Sequence, residues 1–182
     1  TRKESSAASD VYKRQSEADQ VQYLNPVGYK KEGFYDDILL PAFERVLQQN
    51  EAKQLIVLHT LGSHFSYADR YPEAFDLFTP SGKGELVSMH DQKSKTLLNN
   101  AYDNSVAYTD FFLFNLIKQL EQTQSISSLF YVSDHGENIF DGQCGKSGHG
   151  HNTERDYRVA SILWTSDTYN LQYPQKLSLI HI

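Results

Sequence analysis

Between Tyr35 and Gln49 the apolar residues stand at Tyr35, Ile38, Leu39, Ala42, Phe43, Val46 and Leu47. That spacing of three and four puts them on one face of a helix. The segment therefore predicts an amphipathic helix with an acidic first turn, Asp36 and Asp37, where carboxylates complement the helix dipole. Pro41 lies inside the pattern, so the helix either starts later or kinks there. Leu55 to Leu58 (LIVL) is wholly apolar and β-rich, the pattern of a strand covered on both faces, as in a parallel sheet. From Leu61 to Lys95, glycine, proline and serine break any period into a long irregular excursion, a kind of segment often used for function. Leu98, Tyr102, Val106, Leu113, Ile117 and Leu120 then predict a long helix over Leu98–Gln122. Leu129–Val132 (LFYV) predicts a second buried strand and Ile162–Trp164 a third. Residues 16–34 are polar, carry Pro26, Gly28 and Gly33, and read as loop. Strand, excursion, helix, strand, loop, strand is an α/β order.

Composition narrows the class. A chain of 182 residues forms one domain or most of one. Apolar residues are 39% of it, a lean core that the 13% of aromatics helps to fill. The formal charge is 17 − 23 = −6, which argues against a general nucleic-acid surface because nothing would neutralise a row of phosphates. No apolar run approaches the ~18 residues of a membrane helix; the longest, Phe111–Ile117, is broken by Asn115. The lone cysteine, Cys144, excludes an internal disulfide and a Cys-based zinc site, and leaves the compartment open. The two ends read as foreign to the fold. Residues 1–15 are polar and without apolar period, and 177–182 form a short apolar tail after a Tyr-Pro turn. Both resemble translated adapter read-through at the ends of assembled environmental fragments. The expected organisation is a tail over 1–15, a partial domain over 16–176 and a second tail over 177–182.

The chemistry gathers where the two strands end. LFYV runs into Ser133-Asp134-His135-Gly136-Glu137, and ligands of open α/β sheets bind beyond the carboxyl ends of strands. Neighbouring residues of a regular strand face opposite ways, but Gly136 permits a turn that lets Asp134 and His135 converge on one cation. Carboxylate plus imidazole is a donor mix that Zn²⁺ accepts. Further on, Gly148-His149-Gly150-His151 carries imidazoles on a glycine loop. LIVL likewise runs into His59-Thr60-Leu61-Gly62-Ser63-His64. Five of the 7 histidines (His59, His64, His135, His149, His151) fall in these loops.

Plainer readings stand beside these. An Asp after a strand is a common turn cap. His59 suits a hydrogen-bonded core histidine, His151 a solvated loop residue, and Glu137 a surface charge or a partner of a ligand. His90 and His181 have no supporting neighbours, Asp110 suits a polar contact or a solvated charge, and Cys144 has no role.

Taken in order, LIVLHTLGSH (Leu55–His64), RYP (Arg70–Pro72), NAYDNSVAYTDFFL (Asn100–Leu113), YVSDHGEN (Tyr131–Asn138), HG (His149–Gly150) and ILW (Ile162–Trp164) resemble the bacterial phosphoethanolamine transferases. These form a sulfatase-like branch of the alkaline phosphatase superfamily. The resemblance spans roughly residues 34–170 and implies a truncated three-layer α/β sandwich around a mostly parallel sheet. It implies a zinc-dependent enzyme, anchored in the inner membrane by a region outside this chain and working on its periplasmic face. Such an enzyme moves phosphoethanolamine from phosphatidylethanolamine to lipid A or another envelope glycan through a phospho-threonine. Asp134 and His135 match the family's zinc ligands. His64 and His149 match histidines that bind the phosphoryl group or a second zinc, with His151 a rival for His149. The family's glutamate ligand and threonine nucleophile have no counterpart here, since Thr1 and Thr60 stand in other contexts. The cysteines of several relatives are also missing. The alternatives are a sulfatase or phosphoglycerol transferase of the same superfamily, an inactive metal-binding fragment, or a plain α/β interaction domain.

Overall fold

A computed structural model describes residues 16–24, 35–49 and 51–174. The two tails expected at 1–15 and 177–182 lie outside the described residues, as does the part of the 16–34 loop from 25 to 34.

The first amphipathic segment forms a 3₁₀ turn at Asp36–Ile38 that runs into helix α1, Leu39–Leu47. Pro41 thereby occupies the first turn of α1, where a backbone N–H has no intrahelical acceptor to lose, and the helix needs no kink. Helix α2, Lys95–Thr123, is 29 residues long. Leu98, Ala101, Ser105, Tyr108, Phe112, Leu116 and Leu120 are buried along it, steps of three and four that define one stripe. It ends where Gln124 turns left-handed at φ 52°.

Strands β1, Ser128–Val132, and β4, Ser161–Thr165, pair antiparallel, with Leu129 opposite Trp164 and Tyr131 opposite Ile162. Between them, β2 (Asn138–Ile139) and β3 (Ser147–Gly148) form a small antiparallel hairpin. Short helices α3, Glu154–Tyr157, and α4, Asp167–Gln172, flank β4. Both ladders among the described residues are thus antiparallel, and the mostly parallel pairing expected from the sequence is not among them. Leu55–Leu58 is the reason. The segment has no ladder partner among the described residues. Its side chains alternate, with Ile56 and Leu58 against the core and Leu55 and Val57 92% and 69% exposed. One face is covered where the all-apolar run had predicted two.

Two apolar clusters share α2. Toward its C-terminal end Phe112, Leu113, Leu116 and Leu120 meet Phe43 of α1, with Ile56, Leu58, Leu129, Tyr131 and Trp164 around them. Toward its N-terminal end Leu98 and Ala101 pack with Tyr67, Ile139 and Phe140. The excursion of Leu61–Lys95 is held to the helix between these clusters. Asn104, fully buried, accepts the N–H groups of Leu77 (3.0 Å) and Phe78 (2.8 Å) on its Oδ1 and donates to Asp76 Oδ1 (3.0 Å) and the Phe78 carbonyl (3.1 Å). Asp76 Oδ1 also accepts from the Tyr71 hydroxyl (2.9 Å) and Ser81 Oγ (2.6 Å). The helix therefore uses a buried amide to close the loop.

Asn104→Ala leaves two backbone N–H groups without their acceptor, at about 1–3 kcal/mol for each that finds no water. Urea unfolding should show a loss of about 2–4 kcal/mol, and an unchanged midpoint would mean that Asn104 does not close the loop.

Candidate functional site

Beyond β1 the chain keeps one more ladder bond, from Ser133 N–H to the Ala160 carbonyl (3.1 Å), and then turns. Ser133 Oγ donates to the His135 carbonyl (2.8 Å), and Asp134 Oδ1 accepts the His135 N–H (3.1 Å). Gly136 N–H donates to the Asp156 carbonyl (2.9 Å). A Cβ at Gly136 would lie 1.9 Å from the Arg155 carbonyl oxygen and 2.6 Å from that of Arg158. The glycine is thus required by the close approach of the α3 segment to the turn. Asp156 completes this seat, accepting the Thr153 N–H on Oδ2 at 2.9 Å. Chiefly through that bond, its carboxyl is held below the usual range.

The hairpin that follows explains why residues far apart in sequence meet. β2 and β3 carry the chain out and back, and Lys95 Nζ ties the hairpin loop to α2 by donating to the Phe140 carbonyl (2.9 Å). Gly148 and Gly150, at φ 91° and 81°, adopt the left-handed turns that flank His149. Its ring comes to rest 3.7 Å from that of His135, centroid to centroid. The third histidine arrives on the turn after Leu58. Asp36 accepts the N–H groups of Leu61 (3.0 Å) and Gly62 (2.8 Å), and Ser105 Oγ donates to Ser63 Oγ (2.8 Å), so the turn before His64 is held at both ends.

A pocket of about 200 Å³ lies among His64, Phe65, Met89, His90, Glu137 and His149, with His151 also on its wall. His64 and His149 therefore face one cavity. His135 does not line it but lies against His149. Asp134 is not among the residues that line the pocket, and its side chain is 70% exposed. His59 is exposed and outside the pocket, so it is not the core histidine its position suggested. His151 is half-buried, with Nε2 3.0 Å from the Ser147 carbonyl. His90, which has no sequence neighbour to recommend it, is on the pocket wall, brought there by the fold of the excursion. Glu137 is the larger surprise. Its side chain is only 9% exposed, its Oε2 accepts from the Tyr67 hydroxyl (2.6 Å), and its Oε1 faces His149 Nδ1 (3.0 Å). The sequence signal for it is its place directly after Asp-His-Gly, before the buried Asn138.

Three rings share one orientation. Nδ1 of His64 faces the Phe65 carbonyl (2.5 Å), that of His135 the Gly136 carbonyl (3.0 Å), and that of His149 the Glu137 carboxylate. An Nδ1–H committed to an acceptor leaves Nε2 as the ring's lone pair, the arrangement of metal-ligating histidines. His135 Nε2 and Asp134 Oδ1 are 3.8 Å apart. Two ligands on one tetrahedral ion at ~2.0–2.2 Å stand ~3.4 Å from each other, so a divalent cation fits between this pair with a small inward movement. His135, Glu137 and His149 form a second grouping, with one donor atom from each inside 4.8 Å, in which Glu137 already accepts from His149.

The chain is similar to known proteins along most of its length. The model of the Sulfatase family matches residues 4–181. The Kdo(2)-lipid A phosphoethanolamine 7''-transferase of Salmonella typhimurium is 36% identical over 92% of this chain and 31% of its own length. Phosphoethanolamine transferase EptC of Escherichia coli O18:K1:H7 is 33% identical over 92% and 29%. The chain thus spans about a third of the length of these curated relatives. The crystal structure of the C-terminal periplasmic domain of EcEptC from Escherichia coli superposes with a TM-score of 0.78 at 28% identity, covering 97% of this chain and 48% of that one. The same domain in complex with Zn gives 0.77 at 29% identity, covering 98% and 50%.

Gly136→Ala drives a methyl into two backbone carbonyls and should lower stability by about 3 kcal/mol, read from thermal or urea unfolding; a wild-type midpoint would show that the seat can move aside. Asp156 has a folded-state pKa below its unfolded one. Its stabilisation is therefore present above pH ~4 and lost as the pH falls through the folded value. Melting curves from neutral to acid pH should lose part of their acid slope in Asp156→Asn and keep it if the seat is not formed.

Proposed function

The chain belongs to the sulfatase family and has its alkaline-phosphatase-like α/β fold, and from that premise we propose that it is the C-terminal part of the catalytic domain of a zinc-dependent phosphoethanolamine transferase. The supporting observation is that His64 and His149, from separate loops, line one cavity, while the His135 ring lies 3.7 Å from that of His149 and its Nε2 3.8 Å from Asp134 Oδ1. The transferase relatives, and the Zn complex of one such domain, make this reading preferable to a sulfatase or a phosphoglycerol transferase.

In this reading Asp134 and His135 would hold zinc. When bound, the ion supplies a positive charge that favours an ionised nucleophile and offsets the charge that develops on phosphorus. The nucleophile, a threonine, and the remaining glutamate ligand come from outside this chain. His64 and His149 present Nε2 toward the phosphoryl group, where a protonated imidazole donates to its oxygens or to the departing diacylglycerol oxygen. The assignment falls to His149 over His151, whose Nε2 is taken by the Ser147 carbonyl. The donor is phosphatidylethanolamine and the acceptor lipid A or another envelope glycan. The site of action is the periplasmic face of the inner membrane; no helix among the described residues is long and apolar enough to cross a bilayer.

Calorimetric zinc titration of the whole chain tests the ligand assignment. His135→Ala should bind at least about tenfold more weakly, and equal affinities would remove Asp134 and His135 from the ligand set. The chain alone should not hydrolyse a chromogenic phosphodiester; turnover would mean that it carries its own nucleophile.

A further inference from the structure

Glu137 sits between two donors of different kinds. On one side Tyr67, 1% exposed, donates its hydroxyl to Oε2 at 2.6 Å. On the other, His149 Nδ1 is 3.0 Å from Oε1. The Tyr67 ring cannot drift. It is edge-on to Phe65 and to Tyr102, at 5.5 and 5.2 Å between centroids, and belongs to the cluster of Leu98, Ala101, Ile139 and Phe140. A carboxylate with so little water requires donors of its own. The phenol supplies one from the apolar side and stops the carboxylate from turning, so that Oε1 stays aimed at the histidine. Burial, and then the neighbouring Glu137, push the Tyr67 hydroxyl well above the phenol range, so it remains a donor wherever the imidazole is neutral. Tyr67 itself does not line the pocket.

We infer that Tyr67 is a positioning residue: through Glu137 it holds His149 as the Nδ1–H tautomer, leaving Nε2 as the ring's unprotonated atom. The inference rests on His149 being the site histidine. It assigns to the buried tyrosine a task beyond filling the core, because its ring alone would serve packing and only its hydroxyl reaches the carboxylate.

The test reads the tautomer directly, without metal or substrate. Long-range ¹H–¹⁵N spectra of the labelled full chain at about pH 8, above the usual imidazole range, should show His149 as Nδ1–H. His151, whose Nε2 faces a carbonyl, should show the opposite pattern and acts as an internal control. Tyr67→Phe keeps the ring and removes the donor. It should shift His149 to majority Nε2–H, leave His151 unchanged and preserve the circular dichroism of the fold. A folded Tyr67→Phe chain with an unchanged His149 tautomer overturns the inference, as does an Nε2–H His149 in the unmodified chain. If Tyr67→Phe does not fold, Glu137→Ala replaces it. There the Nδ1–H tautomer should be lost, and its persistence overturns the inference. Failure of zinc binding with the tautomer intact would count against the ligand assignment alone.

Discussion

The buried stripe of α2 is the constraint on which the remainder depends. A single helix of 29 residues supplies apolar side chains to two clusters, one against α1 and the sheet and one against the excursion and the hairpin. A rigid rod that packs at both ends fixes the distance between what it packs against. The β1 turn, the hairpin and the His64 turn are thereby referred to one frame, although none of them is itself long enough to be stable alone. Polar contacts add the fine placement: Asn104 closes the excursion, Ser105 meets Ser63, and Lys95 reaches the hairpin loop.

The same economy recurs at the site. Its side chains come from turns and loops, where backbone carbonyls are unpaired by any ladder and so are available to imidazoles. His64 and His135 use the carbonyl of the following residue, and His149 uses a carboxylate. This local bonding orients a ring without a large core beneath it. It also accounts for a cluster of imidazoles gathering without their Nδ1 donors competing for one acceptor. The sulfatase-family likeness extends along nearly all of the chain, so the fold that holds these turns is the family's, even though the chain spans about half of each solved domain.

Much of this was legible from residue order. Periodicity predicted α1 and α2 within a few residues, because an amphipathic stripe repeats whatever surrounds it. LFYV and ILW proved to be strands that pair with each other. LIVL did not reveal how it is covered: an apolar run states a preference for burial, whereas exposure depends on which neighbours are present. Gly136 reads from the sequence as a turn residue, but its need comes from the Arg155 and Arg158 carbonyls, which a Cβ there would strike, partners distant in the chain that no local pattern encodes.

What the amino-acid order determined by itself was local: helix faces, strand ends, and the placing of aspartate, histidine and glycine at those ends, all properties of neighbours in the chain. What only the tertiary structure decided was company. It turned Glu137 inward between Tyr67 and His149, brought His90 to the pocket and left His59 outside it. The physical reason is that burial and hydrogen-bond partnership are set by contacts between distant segments, and those contacts exist only once α2 has fixed where each turn must stand.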